Sequence, residues 1–216
     1  PFQSPNSHML YEAQGGCVTP GADQIPGSAS DWQTVQSFLS IRNAEGQIVM
    51  GSEQAPLVQL GDFNLGKWQP VTHVAKPHVY SWVMNNYWFT NFRTEQEGEF
   101  KFHYYLTSTK DPSRTFATQF GWGSRVPLAT RVLPPVRAVG ARAPKPLSTV
   151  TITTPNLLIV ESRPTRSGDG IFLHLRELEG KPATITEPDL VTSSELRGAD
   201  ELNVLEEVVN EGIESL

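Results

Sequence analysis

The sequence predicts an all-β chain of antiparallel strands and long loops, arranged as a β-sandwich. Its 216 residues include 17 glycines and 17 prolines but only 19% charged residues, which favours many turns and short strands over long helices. In residues 79–84 and 99–106, large apolar or aromatic side chains recur at near two-residue spacing, the period of a half-buried strand. The turn sequence TRSGDG at 165–170 separates two further extended runs and therefore predicts a hairpin.

Composition also excludes several classes of partner. The formal net charge of -6 argues against a surface that binds nucleic acid, because neutralising phosphates requires clustered lysines and arginines. No window approaches the roughly 20 apolar residues of a membrane span, so we expect no membrane partner. Cys17 is the only cysteine, and no disulfide can form within the chain.

Residues 1–30 are predicted to form a loop-rich N-terminal arm, and residues 31–216 a β-sandwich domain. The arm is rich in glycine, proline, serine and glutamine, and its prolines and glycines interrupt regular structure. Residues 32–41 alternate imperfectly between apolar and polar side chains, and with residues 46–50 they favour a hairpin over the competing helix. Because the chain begins at Pro1 rather than at a methionine, we expect it to be a fragment of a larger protein.

The second half of the chain opens with a proline-dense stretch. Residues 112–147 contain six prolines, which break strand ladders, so we expect a long connection between sheets. Strand patterns resume at 149–153, 157–161 and 171–178. Residues 202–209 place apolar side chains at helical spacing among glutamates, which leaves an amphipathic helix and an extended segment as alternatives.

A cluster of amide and aromatic side chains lies between the two patterned runs at 79–84 and 99–106. Amides can exchange hydrogen bonds with sugar hydroxyls, and aromatic rings can stack on the apolar face of a pyranose. The alternative is that these side chains pack between sheets or against another domain, which is commoner for aromatics at strand spacing. The candidate carbohydrate-binding residues are Asn85, Asn86, Tyr87, Trp88 and Asn91.

Metal and catalytic sites are not predicted in this chain. His73 and His78 lie close in sequence, but no cysteine or carboxylate pair completes a set of metal ligands. Glu95, Glu97 and Glu99 alternate, which favours a solvated turn over the paired carboxylates that flank a glycosidic bond. We therefore expect no catalytic residue and no cofactor here.

Four phrases of the sequence resemble one known domain, in the same order. The phrase MNNYWFTNF at 84–92, followed by FKFHYYLTS at 100–108, is similar to the C-terminal β-domain of family 38 glycoside hydrolases, the retaining α-mannosidases. The segments APLVQLG at 55–61, FGWGSRVPL at 120–128 and IFLHLRELEGKP at 171–182 resemble the same domain. Gln54 stands where that family usually has an aspartate. The resemblance covers roughly residues 30 to 190.

The resemblance implies a fold and a function. The fold would be a supersandwich of the galactose-mutarotase-like kind, non-catalytic, bracing the catalytic domain of the same polypeptide and lining its sugar-binding cleft. The zinc, the nucleophilic aspartate and the general acid would belong to a separate catalytic domain that precedes this one. A freestanding carbohydrate-binding module is the alternative function, and a purely structural domain is a third.

Overall fold

The computed structural model describes residues 6–64, 66–85, 93, 95–126, 129, 148, 150–186, 189–192 and 198–213. These residues contain fourteen strands and one helix. The chain divides into two compact units, Pro1–Ala129 and Thr130–Leu216, which are described separately below.

The first unit contains eight strands and the helix. They are β1 (His8–Ala13), β2 (Gly16–Val18), β3 (Gln33–Thr34), β4 (Leu39–Asn43), β5 (Gly46–Ser52), β6 (Leu57–Leu60), β7 (Val79–Ser81), β8 (Tyr104–Thr109) and α1 (Arg114–Arg125). One antiparallel sheet has five strands in the order β2-β1-β4-β5-β8, and another has three in the order β3-β6-β7. The predicted hairpin around residues 43–46 is confirmed as β4 and β5.

Two apolar cores cover opposite faces of the five-stranded sheet. Between this sheet and the three-stranded sheet, Met9 and Tyr11 of β1 pack with Val58 and Leu60 of β6. On the other face, Leu10 of β1 belongs to a second core whose buried residues also include Phe38, Val49 and Ala117. Successive residues of a strand point to opposite faces, so β1 supplies side chains to both cores. The first unit is therefore three layers: small sheet, large sheet and helix.

The structure corrects the predicted N-terminal arm. Two strands lie within residues 1–30, and β1 pairs with both β2 and β4 inside the larger sheet. Four consecutive residues of β1, 9–12, are buried. A strand that is buried on both faces lacks the alternation of apolar and polar residues by which a half-buried strand is recognised. The prediction therefore followed the neighbouring prolines and glycines, which indicate a loop.

The helix α1 corrects the predicted connection over 112–147. Ser113 caps its N-terminus, since the side-chain oxygen accepts a hydrogen bond from the backbone N–H of Phe116 at 3.1 Å. The face containing Ala117 and Gly121 is buried. Gly121 allows the close approach, because an added Cβ would lie 2.7 Å from Cβ of Phe38.

The second unit consists of paired strands. These are β9 (Val150–Ile152), β10 (Leu157–Pro164), β11 (Ile171–Glu177), β12 (Leu190–Thr192), β13 (Glu201–Leu202) and β14 (Val208–Asn210). They form three two-stranded antiparallel pairs, β10-β11, β9-β12 and β13-β14. The predicted hairpin around 165–170 is confirmed, and residues 201–210 form a second hairpin of β13 and β14 rather than a helix.

The all-β, antiparallel sandwich prediction is confirmed. The finer supersandwich arrangement stays a prediction. The strand expected at 99–106 begins later, at Tyr104, and extends to Thr109. Among the described residues, no helix has both the length and the apolar character needed to cross a membrane.

Candidate functional site

The described part of the predicted ligand segment ends at Asn85, which is exposed and lies four residues beyond β7. Asn86, Tyr87, Trp88 and Asn91 lie outside the described residues. The described chain runs from β7 through Trp82 to Asn85.

Strand alternation defines which side chains lie on the outer face of the three-stranded sheet. Val58, Leu60 and Val79 pack into the core between the two sheets, and therefore point inward. Their neighbours along the strands, including Gln59 and Tyr80, point to the opposite side.

Gln59 occupies the middle of the outer face. It lies on the central strand β6 and pairs in register with Tyr80 on β7. The β3–β6 register pairs Gln33 with Val58, and continuing it by one residue places Trp32 on the other side of Gln59. Its two cross-strand neighbours are therefore aromatic.

Two ring pairs build the surface around Gln59. The ring centroids of Trp32 and Trp82 lie 5.2 Å apart with planes at 63°, so the two indoles meet diagonally across the central strand. The rings of Phe63 and Tyr80 lie 5.7 Å apart at 88°. Both are edge-to-face contacts, which aromatic quadrupoles favour. We call the surface formed by Trp32, Gln59, Phe63, Tyr80 and Trp82 the aromatic face.

The aromatic face leaves apolar ring surface in solvent. Trp32 is 38% exposed, Tyr80 is 37% exposed and Phe63 is 56% exposed. Single exposed apolar residues are ordinary, but several on one sheet face are typical of a binding site or a contact with another protein.

The amide of Gln59 lacks hydrogen bonds to any described residue. The side chain is only 2% exposed, and neither Nε2 nor Oε1 has a hydrogen-bond partner. Buried polar groups are nearly always hydrogen-bonded, and leaving one unsatisfied costs about 1–3 kcal/mol. Such a group on a ring-lined face is a candidate ligand contact.

A hydrogen-bond network holds Trp32 on the outer side of its strand. The hydroxyl of Tyr11 donates to Oε1 of Gln33 at 2.7 Å, and Nε2 of Gln24 donates to the same oxygen at 2.8 Å. Burial raises the pKa of Tyr11, so its hydroxyl keeps its proton at neutral pH. Because Gln33 is fixed on the inner face, Trp32 must point outward.

The first unit also contains a polar cleft of about 260 Å³. His8, His73 and Lys76 are among the side chains that line it. Within the described part of the chain, no group of three or more histidine, cysteine, aspartate or glutamate residues could hold a metal ion. His78 packs its ring edge-to-face on Tyr80, at 6.3 Å between centroids, rather than joining His73.

The alternating glutamates are exposed. Glu95, Glu97 and Glu99 all lie on the surface, and Glu99 forms an ion pair with Lys101 at 3.2 Å. Their exposure agrees with the predicted solvated segment.

Fold and site together define an all-β protein with layered antiparallel sheets and one exposed aromatic sheet face. No family model and no curated protein matches the sequence, and no solved structure matches the fold.

Sequence reasoning missed all five residues of the aromatic face as site residues. Gln59 was included in an extended run, but its significance depends on Trp32 and Tyr80, which lie 27 and 21 residues away in the chain. The available signal was a lone amide between apolar residues in LVQL.

Proposed function

We propose that this chain is the non-catalytic C-terminal β-sandwich domain of an α-mannosidase-like glycoside hydrolase. It would brace the catalytic domain of the same polypeptide and contact carbohydrate through the aromatic face. The zinc-dependent chemistry would belong to the catalytic domain. The observation that carries the carbohydrate role is the exposure of Trp32, Phe63 and Tyr80 on one sheet face.

The chemistry of the aromatic face suits a sugar. One face of a pyranose ring carries C–H groups, which pack well on indole and phenol rings, while its hydroxyls require hydrogen-bonding partners. None of the five residues of the face is charged at neutral pH, so a neutral ligand fits better than an ionic one. The segment with the predicted ligands Asn85, Asn86, Tyr87, Trp88 and Asn91 continues directly from Trp82.

A freestanding carbohydrate-binding module is a second candidate, because all five residues of the aromatic face belong to one compact unit. The two functions differ in affinity. A domain that supports a neighbouring active site supplies only part of the sugar contacts, so we expect dissociation constants in the millimolar range for the chain alone, or about -4 kcal/mol. A complete module would bind more tightly.

Titration calorimetry of the whole chain with mannose and mannobiose tests the carbohydrate role. We expect weak binding that Trp32→Ala abolishes, whereas Trp68→Ala serves as the matched control. Trp68 is 69% exposed but lies outside the aromatic face. Absence of binding to either sugar would contradict the carbohydrate role.

Hydrolysis of an aryl α-mannoside tests the non-catalytic role. We expect the purified chain to release no aryl alcohol, with or without added zinc. Turnover by this chain alone would overturn the proposal. Micromolar affinity without turnover would favour the freestanding module.

A further inference from the structure

Three buried glutamines in the first unit differ in how the fold satisfies their amides. Gln33 accepts hydrogen bonds from Tyr11 and Gln24, and its Nε2 donates to the carbonyl of Ala29 at 3.2 Å. Gln59 is as deeply buried, yet its donor and its acceptor both lack a partner among the described residues.

The third, Gln47, is 4% exposed and has a complete set of hydrogen bonds. Its Oε1 accepts from the hydroxyl of Ser40 at 2.7 Å, and its Nε2 donates to the carbonyls of Asp111 and Ser113 at 2.7 and 2.9 Å. The described residues of this unit therefore provide partners for two buried amides and none for the amide on the aromatic face. A partner from outside the chain would remove this difference.

We infer that Gln59 determines the specificity of the aromatic face by binding two adjacent hydroxyls of a pyranose. An amide presents an acceptor oxygen and donor N–H groups side by side in one plane. One sugar hydroxyl donates to Oε1, and its neighbour accepts from Nε2. This assignment rests on the proposed carbohydrate role and specifies which part of the sugar is recognised.

The aromatic side chains beside Gln59 suit the C–H groups of a pyranose whose hydroxyls bind the amide. Trp32 and Tyr80 stand on either side of the amide, so a pyranose that reaches Gln59 places C–H groups against an aromatic ring. A carboxylate ligand would meet one donor amide and no cationic side chain on this face. A neutral vicinal diol uses both halves of the amide.

Reaching the amide requires a side chain to move, because both of its polar atoms are closed to solvent. Trp32 immediately precedes the two-residue strand β3 and is 38% exposed. Rotamer changes of partly exposed side chains occur in nanoseconds. Trp32 is therefore the ring that opens, and ligand binding changes its fluorescence.

The test uses the full chain and a series of sugars. Methyl α-mannopyranoside and its single deoxy analogues are titrated by calorimetry into the wild type and into Gln59→Met, which keeps the volume of the side chain but removes both hydrogen-bonding groups. For the wild type, deleting either of two adjacent hydroxyls should weaken binding about tenfold, as expected for a buried polar partner left unpaired. Gln59→Met should bind the parent sugar about tenfold more weakly and should no longer distinguish it from those two analogues.

Each outcome has a separate meaning. If the wild type binds the parent sugar and every deoxy analogue equally, the inference about Gln59 is overturned without reference to any variant, while the proposed function stands. Binding by Gln59→Met with wild-type affinity and selectivity overturns it equally. If the wild type binds no pyranose, both the carbohydrate role and this inference are overturned. We also expect Gln59→Met to raise the thermal midpoint, since it removes an unsatisfied buried amide, and this separates loss of binding from loss of folding.

Discussion

The two compact units use different interactions to hold their strands. In the first unit, apolar side chains cover both faces of a five-stranded sheet, and Phe38, Leu10 and Val49 are almost completely buried. In the described part of the second unit, the strands occur in pairs, and the buried apolar side chains are Val150, Leu178 and Ile185. Isolated two-stranded pairs are marginally stable in water, so the second unit depends more on other contacts.

Those other contacts are polar. The carboxylate of Glu177 accepts hydrogen bonds from the backbone N–H groups of residues 179, 180 and 181 at 2.6–3.1 Å, and from Nδ2 of Asn156 at 2.6 Å. Arg163 forms ion pairs with Glu161 and Glu206 and lies 4.2 Å from the ring centroid of Phe172. Apolar burial depends little on pH, whereas carboxylate hydrogen bonds depend on ionisation. The two units should therefore respond differently to mutation and to acid.

The largest effect is expected from Phe38→Ala. Phe38 is 0% exposed in the core between the sheet and α1, so truncation removes a buried ring and leaves a cavity. We expect the free energy of unfolding of the first unit to fall by about 3–5 kcal/mol, measured by urea denaturation. Phe100→Ala is the control, because Phe100 is 39% exposed and should cost about 1 kcal/mol or less. Equal effects of the two substitutions would contradict a burial-dominated first unit.

An intermediate effect is expected at the contact between the helix and the sheet. A Cβ at Gly121 would lie 2.7 Å from Cβ of Phe38 and 2.8 Å from the carbonyl oxygen of Ser37. Gly121→Ala should therefore destabilise the first unit by about 1–3 kcal/mol, since the helix must move.

Gly123→Ala is the matched control on the same helix. An added Cβ there meets nothing within 4 Å, and alanine favours helix over glycine, so we expect stabilisation by about 0.5–1 kcal/mol. Thermal denaturation of both variants measures the difference. Changes of the same sign would show that α1 does not pack on Phe38 at Gly121.

Local signals in the sequence predicted the hairpins. The turn before β5 contains Asn43, whose Oδ1 accepts from the backbone N–H of Glu45 at 2.9 Å, and Gly46, whose φ of 153° favours glycine. The turn before β11 is closed by a hydrogen bond from Thr165 N–H to the carbonyl of Gly170 at 3.0 Å. Both turns use side chains and backbone within six residues, so short-range sequence patterns identify them.

Elements whose identity depends on distant packing were missed. The strand β1 is buried on both faces, so its residues show no alternation, and α1 contains Gly121 and Gly123, which lower helix propensity. The site residues were missed because they come together only through pairing between strands that are distant in the sequence. The ring-rich segment near Trp82 was identified from its composition, but Gln59 is a site residue only because β3 and β7 pair on either side of it.

The smallest effect, and the one that separates the two units by pH, is expected at Glu177. Burial raises the pKa of this carboxyl, but hydrogen bonds from the backbone of Glu179, from Asn156 and from the backbone of Lys181 outweigh it, and the pKa lies below its ordinary value of 4.5. A lowered folded-state pKa stabilises the fold above the unfolded-state value, and that stabilisation is lost as pH falls through the folded-state value. We therefore expect amides of the β10–β11 hairpin to lose hydrogen-exchange protection below about pH 4.5, while protection at Val49 in the first unit changes less.

Glu177→Gln tests the cause of this acid sensitivity. The amide cannot ionise and keeps only one acceptor oxygen, whereas each carboxylate oxygen of Glu177 accepts two hydrogen bonds. At pH 7 the hairpin should therefore lose about 1–2 kcal/mol of local stability, since a typical hydrogen bond contributes about 1 kcal/mol net. Protection in the variant should then be flat across the acid range. Glu211→Gln is the control, because Glu211 is an exposed glutamate of the same unit. If Glu177→Gln retains the acid-dependent loss of protection, other carboxylates of the second unit, such as Asp189, whose pKa the backbone N–H of Thr186 lowers, control its stability instead.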